Sequence, residues 1–232
     1  MRKFLFVDDN RALGENLAEI VSDQGDTATV AASGAEALDL ARASQFDALV
    51  TDMRMPVMNG AKLVHEIRRI DPGLPAVVIT AYTGDADLED ARREGLLAIL
   101  QKPVPVERLL RLLKQARRNA LVVLIEDDEA LADNLTEALS ERGFTAVTAD
   151  SVSETDRLGG VRPFAAIVDL RVPGGPDGEA MRRLAARFPA LSMIVTTAHD
   201  IDAPLACAHL FRKPFDTPAL LQQVEQLWVA PK

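Results

Sequence analysis

The sequence predicts an α/β protein with two parallel sheets, each flanked by helices. Three observations support this fold class. Short apolar runs alternate with segments of helical periodicity, which is typical of βα units. The chain repeats itself at an offset of about 118 residues, so the 232 residues divide into two halves of ordinary domain size. Acidic, hydroxyl and lysine residues also follow the apolar runs at matching places in both halves.

The first half, residues 1–118, contains five apolar runs that are each followed by a helical segment. The runs are Phe4–Val7, Ala28–Ala32, Ala48–Val50, Ala76–Thr80 and Leu96–Leu100. Asn10 and Ser33 are placed to cap the first two helices. An acidic fourth helix is expected over Asp85–Glu94 and the last helix over Val106–Arg118. Five βα units with short crossovers predict a parallel sheet between helices.

The second half, residues 119–232, follows the same course with one shorter segment. Thr80 and Lys102 are 22 residues apart, whereas Thr197 and Lys213 are 16 apart. The missing residues fall at the fourth helix, so we predict that this helix is shortened. The link between the halves is also short, because KQARRNA runs directly into the apolar run Leu121–Ile125. We therefore expect the halves to lie close together.

Composition and charge argue against several classes of function. The net charge is −9 and no basic stripe is present, which argues against nucleic-acid binding. No apolar run approaches the ~20 residues of a membrane span. Asp8 and Asp9 end the first apolar run too early for a signal peptide. Cys207 is the single cysteine, so no intramolecular disulfide forms and the cytoplasm is the expected location.

Carboxylates follow the first and third strands predicted in the first half. Asp8 and Asp9 come after the first apolar run, and Asp52 comes after the third. In a sheet of strand order 2-1-3-4-5 these strand ends are neighbours, at the crevice where open α/β folds bind ligands. Three converging carboxylates repel one another and need a cation to stay ionised together. An open site with few oxygen ligands suits Mg²⁺.

A hydroxyl group and an ammonium group complete the pattern. The fourth strand ends at Thr80, and the fifth leads to Lys102, which is suited to neutralising an oxyanion. The matching residues of the second half are Glu126, Asp127, Asp169, Thr197 and Lys213. Each residue alone is explained equally well as a helix cap, a strand-end hydroxyl or a surface lysine. The recurrence of the whole set in both halves favours a functional site.

These motifs resemble the receiver (CheY-like) domains of two-component response regulators, which have a flavodoxin-like (βα)5 fold, and the resemblance covers nearly the whole chain twice. It implies that a histidine kinase or a histidine phosphotransfer protein donates phosphoryl groups to Asp52 and Asp169 with bound Mg²⁺. The implied metal site comprises Asp8, Asp9, Asp52 and the Arg54 carbonyl in the first half, and Glu126, Asp127, Asp169 and the Arg171 carbonyl in the second. The resemblance implies that Asp9 binds the ion directly and that Asp8 binds it largely through water. The implied phosphoryl-binding residues are Thr80, Lys102, Thr197 and Lys213.

The resemblance also implies two local features beside each site. One is a cis peptide bond at Lys102–Pro103 and Lys213–Pro214, which aims the ammonium group into the site. The alternative reading is a proline in the first turn of a helix. The other feature is a residue flanking the phosphoryl pocket, Tyr82 in the first half and His199 in the second. His199 is therefore a candidate for tuning the lifetime of the phosphate.

The chain departs from the family pattern on the fifth strand of both halves. Receivers often carry tyrosine or phenylalanine three residues before the lysine, but Ile99 and Leu210 occupy these positions. An aliphatic side chain has no hydroxyl to exchange between solvent and core. The usual aromatic switch is therefore not expected in either half.

We interpret the chain as two fused receivers that signal through contacts with an unidentified downstream protein, with no output domain and no enzymatic activity beyond their own phosphorylation. One alternative is the receiver portion of a longer regulator, such as a transcription factor or a cyclic-dinucleotide synthase. Another is one working receiver joined to a pseudo-receiver for docking or dimerisation, and a homodimer is a candidate assembly. An aspartate-nucleophile phosphatase is disfavoured, because Arg54 and Arg171 stand where its acid/base carboxylate belongs.

Overall fold

A computed structural model describes residues 1–81, 91–92, 94–199 and 209–229, and within them the chain forms two five-stranded parallel sheets. The first sheet comprises β1 (Lys3–Val7), β2 (Thr27–Ala31), β3 (Ala48–Asp52), β4 (Ala76–Thr80) and β5 (Ala98–Gln101). The second comprises β6 (Leu121–Ile125), β7 (Thr145–Ala149), β8 (Ala165–Asp169), β9 (Ser192–Thr197) and β10 (His209–Arg212). The spatial order of the first sheet is β2-β1-β3-β4-β5. That of the second, taken from its β7 edge, is β7-β6-β8-β9-β10, which is the same order when the strands of each half are numbered from one. Both sheets therefore have the predicted order.

Helices lie on both faces of each sheet. In the first half these are α1 (Arg11–Asp23), α2 (Gly34–Ala43), α3 (Gly60–Ile70) and α4 (Val106–Gln115). The second half contains α5 (Glu129–Ser140), a 3₁₀ helix (Val152–Gly160), α6 (Glu179–Arg187) and α7 (Thr217–Val229). The side chains of Asn10 and Ser33 accept hydrogen bonds from backbone amides in the first turns of α1 and α2, as predicted. The acidic helix expected before β5 and the shortened helix expected before β10 fall largely or wholly outside the described residues.

Several strand ends lie one or two residues from their predicted positions, most clearly in β5, which begins at Ala98 and not at Leu96. Two helical elements also differ from the sequence prediction. α4 ends at Gln115 and not at Arg118, because the residues after it leave the helix to contact the second half. A 3₁₀ helix also stands where the repeat predicted a counterpart of α2. That segment ends in Gly159 and Gly160, and glycine disfavours a regular α-helix by about 1 kcal/mol per residue relative to alanine.

Each sheet is buried on both faces, as its continuous apolar strands require. In the first half, Leu5 and Leu49 face a core that includes α3, whereas Phe4 and Phe6 face a core that includes Leu109 of α4. Successive side chains of a strand point to opposite faces, so one strand supplies both cores. The second sheet has two equivalent cores. Among the described helices, none is both long and apolar enough to cross a membrane.

A buried arginine at the end of α3 joins this helix to the segment that enters β5. Arg68 is 7% exposed, although it carries a charge. Its guanidinium donates hydrogen bonds to the carbonyl oxygens of Pro72 (3.0 Å), Leu74 (2.5 Å), Glu94 (3.2 Å) and Gly95 (2.6 Å). Burial lowers the pKa of Arg68 to about 10, against the attraction of Glu94 and Asp71. The sequence predictions did not include Arg68, although it follows buried Val64 by one helical turn.

The two halves meet at the backbone immediately after α4. The amide of Arg117 donates a hydrogen bond to the carbonyl of Gly143 at 3.0 Å. The Arg117 guanidinium lies 4.6 Å from the centre of the Phe144 ring, a cation–π distance. Gly143 has a φ of +80°, and a Cβ there would lie 1.8 Å from the carbonyl oxygen of Gln115. The junction therefore requires glycine at this position.

Further contacts fix one linking residue and join the two halves directly. The guanidinium of Arg118 binds both carboxylate oxygens of Asp71, at 2.7 and 2.9 Å. An isolated antiparallel bridge pairs Leu96, just before β5, with Ala146 of β7. Arg108 of α4 also forms a 2.9 Å ion pair with Glu137 of α5. These contacts agree with the expectation that the short link brings the halves close together.

Candidate functional site

The carboxyl edge of the first sheet brings together the predicted acidic residues. Asp8 and Asp52 are 5% and 6% exposed, whereas Asp9 is exposed. Asp52 is the last residue of β3, whereas the predicted strand ended at Val50, two residues before it. One oxygen from each of the three carboxylates lies within 4.8 Å of the others. This cluster of hard oxygen ligands fits a divalent cation such as Mg²⁺.

Lys102 contacts the two buried carboxylates of this cluster. Its Nζ lies 2.8 Å from Oδ1 of Asp52 and 3.4 Å from Oδ2 of Asp8. The amide of Asn10 donates to Asp8 at 2.8 Å, and the amide of Arg54 donates to Asp52 at 3.2 Å. Desolvation raises the pKa of Asp8, although the Asn10 amide and Lys102 oppose it. Desolvation alone lowers the pKa of Lys102, but Asp52 and Asp8 outweigh it and the net pKa is raised.

The turn after Asp52 is tied closely to the end of its strand. The Met53 amide donates to the Ile79 carbonyl at 2.7 Å, and the Gly60 amide donates to the Met53 carbonyl at 2.8 Å. A Cβ on Gly60 would lie 2.5 Å from the carbonyl oxygen of Asp52. Only glycine therefore allows α3 to begin so close to Asp52.

The threonine and the lysine lie on adjacent strand ends in both halves. The amide of Lys102 donates to the carbonyl of Thr80 at 2.8 Å, and that of Lys213 donates to Thr197 at the same distance. Both threonine residues are 1% exposed. The Lys102–Pro103 and Lys213–Pro214 peptide bonds are cis, as the resemblance implied.

The second sheet repeats the acidic cluster with closer lysine contacts. Glu126 and Asp169 are 3% and 7% exposed, Asp127 is exposed, and their ligand atoms again lie within 4.8 Å of one another. Lys213 Nζ lies 2.6 and 2.7 Å from the two oxygens of Glu126 and 2.6 Å from Oδ2 of Asp169. The amide of Arg171 donates to Oδ1 of Asp169 at 3.0 Å. This cluster also fits a divalent cation.

The titration behaviour of the second cluster follows from burial. Desolvation raises the pKa of Glu126 against the hydrogen bonds and charge of Lys213. Desolvation alone lowers the pKa of Lys213, but its hydrogen bonds with Asp169 and Glu126 raise the pKa overall.

Of the two residues predicted to flank the phosphoryl pockets, the structure describes one. His199 is exposed and its amide donates to Oγ1 of Thr197 at 3.1 Å, whereas Tyr82 lies outside the described residues.

The second cluster borders a cleft between the halves. The cleft has a volume of about 580 Å³, and Glu126 and Asp127 form part of its wall. The first half contributes Leu96, Leu97, Ala98 and Ile99 to the same cleft. Ile99 therefore faces the space beside Glu126 and Asp127. It occupies one of the two positions where receivers often carry an aromatic residue. Leu210, at the other, is 45% exposed on β10.

Comparisons with known proteins cover both halves. The family model described as the response regulator receiver domain matches residues 4–114. A response regulator receiver protein of Anaeromyxobacter sp. (strain Fw109-5) is 61% identical over 227 residues, which cover 98% of this chain and 95% of the relative. The response regulator MprA of Mycobacterium ulcerans (strain Agy99) is 31% identical over 172 residues, covering 73% of this chain and 72% of the relative.

One similar solved structure is the receiver domain of a sensor histidine kinase from Pseudomonas aeruginosa PAO1. It is 28% identical, with a TM-score of 0.45, and the match covers 49% of this chain and 94% of that chain. That domain was crystallised with a magnesium ion coordinated in its active-site cleft.

Proposed function

The chain belongs to the response regulator receiver family, and on this premise we propose that it accepts phosphoryl groups on Asp52 and Asp169 in two-component signalling. Receivers of this family interact with histidine kinases or phosphotransfer proteins, and aspartate phosphorylation and Mg²⁺ are typical of them. One observation supports the proposal most strongly. A nearly buried aspartate, a lysine in contact with it and a neighbouring acid pair occur together at the same sheet edge in both halves.

In the proposed reaction the side chain of Asp52 is the nucleophile. One of its carboxylate oxygens bonds to phosphorus while the phosphorus–nitrogen bond of the donor phosphohistidine breaks, and the bonding electrons return to the imidazole. Lys102, already 2.8 Å from this carboxylate, neutralises the phosphoryl oxygens as the product forms. The hydroxyl of Thr80, buried at the end of the adjacent strand, is the proposed hydrogen-bond donor to another phosphoryl oxygen.

The acidic residues supply the proposed cation site. The ion would be held by the carboxylates of Asp8, Asp9 and Asp52 and by the carbonyl of Arg54. The three carboxylates already form a cluster in the structure. When bound, Mg²⁺ offsets the negative charge that gathers on the phosphoryl group and the carboxylates. Asp8 and Asp52 are kept in position without the ion by the amides of Asn10 and Arg54.

The second half, residues 119–232, is proposed as a second receiver with Asp169 as its acceptor. Its strand order and its lysine–carboxylate contacts support this, although the family model matches residues 4–114. Glu126, Asp127 and the carbonyl of Arg171 would complete the cation site, with Thr197 and Lys213 as the phosphoryl contacts.

We further propose that the chain signals through protein contacts and works in the cytoplasm, where receivers usually act. Receiver domains are generally not enzymes, and no activity beyond their own phosphorylation and dephosphorylation is proposed. The net charge of −9 supports a protein partner over nucleic acid.

Intact-mass spectrometry after treatment with acetyl phosphate and MgCl₂ tests this function. The wild-type chain should gain two phosphoryl groups, and the Asp52→Asn and Asp169→Asn variants one each. The double variant is the control for other sites and should gain none. If the wild type gains no phosphoryl group, the proposed function is wrong. A single group that Asp52→Asn alone removes would restrict the function to the first half.

A further inference from the structure

The two acidic clusters differ in how the lysine is held. Lys102 makes one close contact, 2.8 Å to Asp52, and a longer one of 3.4 Å to Asp8. Lys213 makes three contacts of 2.6 to 2.7 Å, two of them to the two oxygens of Glu126. The side chain of Lys213 is 19% exposed and that of Lys102 is 30% exposed. The second lysine is therefore held more tightly and deeper in its site.

One methylene group accounts for this difference. The backbone frame is the same in both halves, since each lysine amide donates to the matching threonine carbonyl at 2.8 Å. Glu126 replaces Asp8 at the end of the first strand of its sheet, and its longer side chain reaches the ammonium group with both oxygens. Charged hydrogen bonds of this length are among the strongest in proteins.

Net charge does not distinguish the two sites. Each contains three carboxylates and one lysine, so a divalent cation meets the same total charge in both. What differs is the availability of the carboxylate oxygens. In the second site the ammonium group lies against both oxygens of Glu126, and its positive charge repels a cation that approaches them.

We propose that Lys213 and Glu126 form a latch that makes the second site bind Mg²⁺ more weakly than the first. The proposal rests on the proposed function, because it concerns the cation of the same site. To bind the ion, the second site must first give up at least one charged hydrogen bond. This loss predicts affinity about tenfold weaker than at the first site. The first half is then phosphorylated at lower Mg²⁺ concentrations than the second.

Calorimetric titration with MgCl₂ measures this directly on the full chain. The Asp9→Asn/Asp52→Asn variant reports the second site, and the Asp127→Asn/Asp169→Asn variant reports the first. The reciprocal exchange of the acidic residues then tests the cause. Glu126→Asp should strengthen binding at the second site about tenfold, and Asp8→Glu should weaken binding at the first.

A further variant guards against misfolding as an explanation. Lys213→Met removes the competing charge and should also strengthen Mg²⁺ binding at the second site, whereas Lys102→Met should strengthen the first site by a smaller factor. Far-UV circular dichroism confirms that each variant is folded.

The outcomes separate the two proposals. If the first site binds Mg²⁺ and the second binds it equally well, or Glu126→Asp changes nothing, the latch is wrong and the proposed function stands. If the first site does not bind Mg²⁺ at all, the proposed function fails and the latch fails with it.

Discussion

The carboxyl edges of the two sheets carry the same kinds of residue in the same order, yet their charges pair differently. Lys102 is close to Asp52 and more distant from Asp8, at 2.8 and 3.4 Å. The Nζ of Lys213 lies 2.6 Å from Oε1 of Glu126 and also 2.6 Å from Oδ2 of Asp169. A frame conserved between two halves of one chain therefore does not conserve the electrostatics of its site, because one methylene changes which oxygens the lysine reaches.

The two halves also differ in the other charges that they bury. The first half buries Arg68 beneath four carbonyl oxygens, whereas exposed Ala185 occupies the matching place in α6, directly after buried Leu184. The second half instead has its acid pair on the cleft shared with the first. We call the four hydrogen bonds of Arg68, which join α3 to the segment that enters β5, the internal brace of the first half.

The largest effect is expected when the internal brace is removed. Arg68→Ala leaves the carbonyls that it bonds without their donor and should lower the unfolding free energy of the first half by about 4 kcal/mol. Urea unfolding followed by circular dichroism should show an early transition. Trp228, the single tryptophan, reports the second half by fluorescence and should shift less.

Arg183→Ala is the matched control for this prediction. Arg183 lies on α6 and forms exposed ion pairs with Glu179 and Asp156. Its loss should cost less than about 0.5 kcal/mol. Equal effects of the two substitutions would contradict the view that Arg68 braces the first half.

An intermediate effect is expected at the junction. Gly143→Ala places a Cβ against the carbonyl oxygen of Gln115 and should destabilise the second half by about 3 kcal/mol. Gly25 is the control, because it has a similar φ of +86° at the matching position but nothing within 4 Å of the added Cβ. Gly25→Ala should therefore cost only the backbone strain, about 1 kcal/mol. If both substitutions cost the same in urea unfolding, the contact between the halves adds nothing.

The smallest effect is expected from a surface ion pair across the junction. Arg108 and Glu137 lie 2.9 Å apart, but their side chains are 42% and 58% exposed. Arg108→Ala should change the unfolding free energy by less than about 0.5 kcal/mol, and less again in high salt. A loss comparable to that of Gly143→Ala would show that charges, and not the close backbone contact, hold the halves together.

Much of the fold and most of the candidate site could be read from the sequence, for a physical reason. In a parallel sheet all carboxyl ends meet at one edge, so a residue's place after an apolar run predicts its neighbours. Asp8, Asp52 and Lys102 meet in this way, although the lysine is 94 residues from Asp8. The internal repeat then predicts the matching residues at the sheet edge of the second half.

Local patterns failed where contacts from elsewhere in the chain decide the structure. The end of α4 depends on the contact between Arg117 and Gly143, which no helical pattern contains. A charged residue such as Arg68 is expected at the surface from the sequence. In the structure it is buried, because the carbonyl groups of residues 72, 74, 94 and 95 accept its hydrogen bonds. The 3₁₀ helix likewise departs from the helix that the repeat predicted.

The sequence by itself determined which residue types reach the edge of each sheet, because strand order and side-chain alternation are properties of the chain pattern. The tertiary structure alone decided how those residues pair. Lys213 reaches Glu126 across 87 residues and Asp169 across 44, and its distances depend on side-chain length and on where two strands end in space. Hydrogen bonds and charge repulsion change steeply over a few tenths of an ångström, which sequence spacing does not specify.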